Sequence, residues 1–155
     1  MKKIILWTLV ISCMCMIFGF SAQEASVSDG TSTGFIKTAV KILLGGNADE
    51  KTLEKTAEEL NFYVRKAAHF SIYALLGFLI ALLVCEYIAA PKKVLLRSVI
   101  FIGMYAASDE LHQFFVPGRS CEIRDVLLDT FGALCGICIA LLIKALIKKV
   151  KNEGE

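Results

Sequence analysis

The chain has 155 residues, of which 56% are hydrophobic, and its mean hydropathy is +0.64. This hydrophobic share is above that of an ordinary soluble globular domain, and the length suits a single domain. The formal net charge of +2 indicates little by itself, because a membrane would divide it between two sides. We therefore expect an all-α, polytopic membrane protein with one domain over residues 1–155.

The apolar residues are gathered in four blocks along the chain. A bilayer core of about 30 Å takes about 20 helical residues to cross, so the shorter blocks must extend into their polar flanks. We predict four transmembrane helices, at approximately 4–20, 67–88, 94–116 and 123–147. The segment 21–66 between the first two helices is then predicted to be extracytoplasmic.

The first block follows two lysines, Lys2 and Lys3, in a layout typical of signal sequences. Phe20 stands where a cleavage site after Ala22 prefers a small residue, so we expect an uncleaved first helix. Lys2, Lys3 and the other basic residues of this side lie close to helix ends, whereas those of the other side are diluted by acidic residues. Both termini are therefore predicted to be cytoplasmic.

A short amphipathic helix is predicted at 34–44, within the outer segment. Its apolar residues repeat at helical spacing, with Lys37 and Lys41 on the water side, and Gly45 and Gly46 end it. Asp49 is then a plausible cap for a helix that runs without a break into the second span.

The junction between this helix and the second span carries Arg65, His69 and Tyr73 at intervals of four residues, so the three side chains share a face. In the third span Asp109 and Gln113 are likewise one helical repeat apart. Pro117 and Gly118 predict an outer turn after that span.

The fourth span presents Asp125, Asp129, Gly132 and Gly136 as a stripe along one face. Two glycines four residues apart are typical of close helix packing in membranes. We therefore predict that this face meets another helix and that both carboxylates point into the bundle.

Topology brings the polar ends of three spans to one level, the outer third of the membrane. The candidate ligand-binding residues are Arg65, Lys66, His69, Tyr73, Asp109, Glu110, Gln113, Arg119, Arg124, Asp125 and Asp129. Unpaired charges at this depth cost several kcal/mol. We predict ion pairs between an arginine (Arg65, Arg119 or Arg124) and an aspartate (Asp109, Asp125 or Asp129).

Each of these residues also has a plainer interpretation. Arg65, Lys66 and Arg124 could be interfacial cations that extend toward water, and Tyr73 could be a packing residue. The carboxylates could form a structural ion-pair network that ties three helices together.

The sequence gives no sign of a metal, cofactor or nucleic-acid site. Its two histidines lie at different heights with no cysteine at their level, and phosphate-loop, nucleophile-elbow and nucleic-acid motifs are absent. Cys135 and Cys138 form C-x-x-C, but they lie on an apolar helix and are interpreted as small packing residues rather than a redox pair.

Four motifs together resemble the VanZ-like family of small bacterial membrane proteins. They are R-K-x-x-H-F-x-x-Y at 65–73, D-E-x-H-Q at 109–113, P-G-R at 117–119, and R-D-V-x-x-D-x-x-G at 124–132. The F-S-A-Q at 20–23 fits as well. One departure is Asp129, where asparagine is expected in many members.

The resemblance implies a role in the cell envelope, and the family's namesake is associated with resistance to the lipoglycopeptide teicoplanin. The preferred hypothesis is an outer-leaflet polar pocket that binds an anionic lipid or a lipid-linked head group. One alternative is an enzyme acting on a lipid head group, with His69 as general acid or base and Asp109 or Glu110 as its partner. Another alternative is a purely structural or interaction role.

Overall fold

Five α-helices make up the part of the chain that the computed structural model describes, residues 1–43 and 49–153. They are α1 (Lys2–Ser21), α2 (Ala25–Leu43), α3 (Glu50–Val84), α4 (Pro91–Gln113) and α5 (Ile123–Glu153). No strand occurs in these two ranges. The predicted all-α class is confirmed.

Three of these helices, α1, α3 and α5, are long and apolar enough to cross a membrane. The helix of the predicted third span, α4, has 23 residues, enough to reach across a bilayer core of about 30 Å. It is more polar because basic residues stand in its first two turns and two acidic residues, Asp109 and Glu110, stand in its last turn.

The segment 21–66, predicted to be extracytoplasmic, contains α2 and the first part of α3, which run antiparallel. Asp49 caps α3 by accepting a 3.3 Å hydrogen bond from the backbone N–H of Thr52, and α3 continues unbroken into its apolar half, as predicted. Lys37 of α2 pairs with Glu54 of α3 at 3.0 Å. The amphipathic helix is longer than the predicted 34–44, and its predicted stop at Gly45 and Gly46 lies outside the described residues.

Small residues bring α3 and α5 into backbone contact, as the glycine stripe predicts. A Cβ at position 136 would overlap the backbone of Ala74, and one at 132 would lie 2.5 Å from the carbonyl oxygen of Phe70. Gly77 of α3 has the reciprocal relation to Ala133. Close packing of this kind stabilises helix pairs in membranes and fixes their relative height.

One end of the bundle is held by Glu86, which follows α3. Its carboxylate lies 2.9 Å from the Lys2 ammonium and 3.6 Å from that of Lys144. Trp7 adds a 3.2 Å hydrogen bond to the Tyr87 hydroxyl. The beginning of α1, the α3–α4 connection and the later part of α5 therefore meet at one end, and the polar residues of the candidate site lie at the other.

Candidate functional site

Asp109 is the buried centre of the polar end, and it joins three helices. Its Oδ2 accepts hydrogen bonds from the Ser21 hydroxyl at 2.7 Å, the Tyr73 hydroxyl at 3.3 Å and the Gln113 amide at 3.3 Å. These donors lie on α1, α3 and α4. The shared face of Asp109 and Gln113 predicted from their spacing is confirmed.

Arg119 lies beside this centre, in the turn that follows α4, and contacts it through Gln113. Gly118 adopts a left-handed conformation with φ of 75°, which a glycine tolerates at little cost, and the turn directs Arg119 back toward the end of α1. There its guanidinium donates to the carbonyl oxygens of Gln23 at 2.9 Å and Phe20 at 3.3 Å, and to Gln113 Oε1 at 3.0 Å.

The positive charge of Arg119 has no carboxylate within 4.0 Å among the residues that the structure describes. Its hydrogen bonds use three of the five N–H donors of a guanidinium. Burial lowers the pKa of Arg119 from its ordinary value and the neighbouring Arg65 lowers it further, whereas the charges of Asp109, Asp29 and Glu110 act in the opposite direction. Arginine stays protonated even so, and a bound anion would stabilise this charge further.

The other two cations of the site are paired with carboxylates. Arg65 binds Asp29 of α2 at 2.5 Å, and Asn61 donates to the same Asp29 oxygen at 3.2 Å. Lys66 binds Asp125 of α5. Both pairs are about one-third exposed at the cation, so they link helices while remaining open to water.

The predicted pairing of arginines with Asp109, Asp125 or Asp129 is therefore wrong in its details. Asp109 takes neutral donors, which satisfy a buried carboxylate without bringing a second ion out of water. Arg65 instead finds Asp29, because α2 folds back along α3. Arg124 is exposed and belongs to none of these contacts.

Two further carboxylates, those of Asp129 and Glu110, are fully buried and have oxygens that accept no hydrogen bond. Asp129 lies with its Oδ2 3.7 Å from Nδ1 of His69, beyond hydrogen-bond distance, and neither of its oxygens accepts a hydrogen bond. Glu110 accepts the backbone N–H of Glu122 at 3.0 Å through Oε2. The partner predicted for His69 was Asp109 or Glu110, but the carboxylate beside it is Asp129.

A polar cleft of about 240 Å³ opens at this end of the bundle. Its lining residues come from α2, α3, the end of α4, the turn after it and the start of α5: Asp29, Phe62, Arg65, Lys66, His69, Gln113, Gly118, Arg119, Ser120, Glu122 and Asp125. We call this the polar cleft. It contains cations and carboxylates, and Arg119 is the cation without a carboxylate partner.

A second cavity, of about 430 Å³, adjoins the first, and we call it the apolar cavity. Apolar side chains of α1, α2 and α3 contribute to its wall, among them Ile17, Phe35 and Ile72. Arg65, His69 and Arg119 line both spaces. The two cavities therefore meet at three residues that are charged or can be charged.

The predicted site residues fall into three groups. Those that line the polar cleft are Arg65, Lys66, His69, Gln113, Arg119 and Asp125. Those that lie outside both cavities and are buried are Tyr73, Asp109, Glu110 and Asp129. Arg124 lines neither cavity and points to the exterior.

Sequence reasoning missed Asp29, Asn61 and the residues at the end of α1. The F-S-A-Q segment carried a signal that could have placed them, because the carbonyls of Phe20 and Gln23 and the hydroxyl of Ser21 are its hydrogen-bonding groups. Asp29 offered no such signal, since its role depends on how α2 folds onto α3. Among the described residues, no group of three or more His, Cys, Asp or Glu side chains could hold a metal ion.

Comparison with known proteins connects this architecture to one family. A family model described as VanZ/LLP1 matches residues 6–144, which include every residue that lines the two cavities. Searches of curated proteins and of solved structures each gave no significant match. Since the match extends over most of the sequence, from α1 into α5, the chain belongs to the VanZ-like family.

Proposed function

We propose that this VanZ-like protein binds the anionic head group of a membrane lipid, or of a lipid-linked envelope molecule, in the polar cleft. The observation that carries the proposal is Arg119, whose guanidinium lines the cleft, keeps two N–H donors beyond its three hydrogen bonds, and has no carboxylate within 4.0 Å in the described part of the chain. A planar guanidinium matches the oxygens of a phosphate in two places at once.

The two paired cations extend this site. Arg65 and Lys66 line the same cleft, and their partners Asp29 and Asp125 are partly exposed. Ion pairs open to water contribute only about 0–1 kcal/mol to stability. A bound phosphate can therefore replace either carboxylate as the partner of the cation at a small cost in free energy. We therefore propose Arg65, Lys66 and Arg119 as the anion-binding residues and leave Arg124 out.

The proposed setting is the cytoplasmic membrane of a bacterium, with four spans and both termini cytoplasmic. Under this arrangement α4 spans the membrane together with α1, α3 and α5, as the third span in chain order, and α2 lies with the start of α3 at the outer surface. The polar cleft then opens at the level of the outer-leaflet head groups. The clustering of Lys2, Lys144 and Glu86 at the opposite end supports this arrangement.

A contribution to teicoplanin-type resistance is the physiological part of the proposal, and its support is the family membership. Deletion of the gene in its own host, with plasmid rescue by wild type or Arg119→Gln, tests it. We expect lower teicoplanin tolerance in the deletion strain and rescue by the wild type alone.

Lipid retention tests the binding proposal directly. Wild type, Arg119→Gln and Arg124→Gln are purified in the same mild detergent, and co-purifying lipids are quantified by mass spectrometry. Arg124→Gln is the matched control, since it removes an exposed arginine five residues away that lines neither cavity. A hydrogen bond to a charged group contributes about 1.5–3 kcal/mol, so we expect Arg119→Gln to retain at least about tenfold less anionic lipid.

Arg119→Lys separates binding from folding, because it keeps the charge while losing the fork of donors. We expect intermediate retention with a monodisperse elution profile. Equal anionic lipid in wild type, Arg119→Gln and Arg124→Gln would overturn the proposal.

The second candidate function is that of an enzyme acting on a lipid head group, and the proximity of His69 and Asp129 favours it. His69 lines both cavities and lies 3.7 Å from a fully buried carboxylate, which would have to approach to hydrogen-bond distance to orient the imidazole for proton transfer. This candidate predicts turnover of a phospholipid head group that His69→Ala abolishes while the variant still elutes as folded protein. Bound lipid recovered unchanged after prolonged incubation with the wild type would contradict it.

A further inference from the structure

We infer that the apolar cavity holds a hydrocarbon chain of the same molecule whose head group lies in the polar cleft. The ligand class is then a phosphate-bearing lipid with one chain inserted between α1, α2 and α3, rather than a water-soluble anion. This inference rests on the proposed function and specifies its ligand.

Continuity between the two spaces is the first argument. Arg65, His69 and Arg119 line both of them, so a molecule whose anionic group contacts Arg119 has its next atoms at the mouth of the apolar cavity. A ligand that is charged at one end and apolar at the other matches this order of surfaces.

The apolar side chains around the cavity supply the second argument. Phe20 of α1 and Phe35 of α2 line it and remain 53% and 68% exposed. Covering apolar surface that faces water contributes about 25 cal/mol per Å², so a hydrocarbon chain beside these rings is favourable wherever the cavity opens to water. The cavity, at about 430 Å³, lies within the usual range for ligand sites of about 300–1,000 Å³.

Size and charge select a lipid chain over a protein segment. The cavity is open on one side and has a volume of about 430 Å³, which accommodates a narrow hydrocarbon chain more readily than an α-helix about 10–12 Å wide. The border of the cavity carries Arg65 and Arg119, which suits an anionic lipid. α2 forms part of the wall, so a chain inside the cavity contacts α2 as well as the spanning helices.

The test measures binding of three probes to the full-length protein in detergent. Glycerol 3-phosphate carries the head group alone, dioleoylphosphatidylglycerol adds two acyl chains, and a polyprenyl phosphate adds an isoprenoid chain. We expect at least one chain-bearing probe to bind tenfold or more tightly than glycerol 3-phosphate. The probe that does so identifies the source of the chain.

Ala68→Phe and Ala67→Phe form the matched pair of variants. Both alanines are exposed, but Ala68 lines the apolar cavity and its neighbour Ala67 lines neither cavity. The added ring at position 68 occupies the space of the chain, so we expect a tenfold or greater loss of affinity in Ala68→Phe and less than a twofold change in Ala67→Phe.

Wild-type affinity in Ala68→Phe, or equal binding of all three probes, would overturn the inference. Arg119→Gln reports separately on the proposed function: lipid retention that needs Arg119 but tolerates Ala68→Phe means that the head group binds and the chain lies elsewhere.

Photo-cross-linking in the wild type tests the inference without a variant, in case Ala68→Phe fails to fold. A diazirine in the chain of the bound probe should label Phe35 of α2, and labelling confined to α4 and α5 would also overturn the inference.

Discussion

Ser21 and Asp109 are 88 residues apart in the sequence, and the Ser21 hydroxyl donates a 2.7 Å hydrogen bond to Asp109 Oδ2. Both side chains are buried, at 0% and 1% exposure. This contact fixes the end of α1 against the last turn of α4. Because Asp109 lines neither cavity, its role is to hold the helices that carry the cleft, and the ligand-facing groups lie above it.

Ser21→Ala should lower the free energy of unfolding by about 1–3 kcal/mol, since it removes a buried hydrogen bond to a carboxylate. Thermal unfolding in a fixed detergent measures the change. Ser71→Ala is the matched control, because Ser71 is exposed and bonds only the carbonyl of Ala67 in its own helix. Equal melting temperatures for Ser21→Ala and wild type would contradict this role of Asp109.

Asp129→Asn should change the free energy of unfolding by less than about 1 kcal/mol, or increase it. Neither carboxylate oxygen accepts a hydrogen bond, so an amide of the same shape removes little and relieves the burial of a potential charge. Asp109→Asn is the comparison: it weakens three charge-assisted hydrogen bonds, and we expect a loss of about 1–3 kcal/mol. A comparable loss in both variants would show that Asp129 forms an ionised pair with His69.

Gly136→Ala should destabilise the bundle by about 3 kcal/mol, the upper part of the usual range for overpacking, because the added methyl group meets the backbone of Ala74. Gly103→Ala in α4 is the control. Its nearest contact is Thr130 Oγ1 at 3.8 Å, and alanine favours the helix by about 1 kcal/mol. Chemical or thermal unfolding of the two variants distinguishes them, and equal stability would show that α3 and α5 pack less closely than described.

Chemical labelling of Cys121 tests the proposed orientation of the protein in the membrane. It is an exposed thiol in the turn region beside the polar cleft. In a variant that keeps Cys121 as its single cysteine, a membrane-impermeant maleimide should label intact cells. Lys151→Cys in a cysteine-free background should react only after the cells are permeabilised. The reverse pattern would place the polar cleft on the cytoplasmic side.

The helical architecture could be predicted from the sequence because the signals are local and strong. Apolar block length located α1, α3 and α5, and the spacing of Gly132 and Gly136 identified the face that meets α3. Hydropathy also located α4 approximately. It begins at Pro91, earlier than the predicted 94, because proline is tolerated in the first turn of a helix.

The pairing within the site could not be predicted, because it depends on how segments without a strong pattern fold back. Asp29 reaches Arg65 only because α2 runs antiparallel to α3, and Arg119 reaches the carbonyls of Phe20 and Gln23 only through the left-handed turn at Gly118. The sequence predicted that these polar residues gather at one end of the bundle, and most of them lie there. Which of them face a cavity, and which are buried below it, required the three-dimensional arrangement.

A structure of the protein with bound lipid, solved in lipid nanodiscs, would show directly whether the polar cleft binds a phosphate group. We expect phosphate oxygens at hydrogen-bond distance from the Arg119 guanidinium, in the space that Arg65 and Lys66 also line. Ordered lipid found only on the outer surfaces of α4 and α5, with water alone beside Arg119, would contradict it.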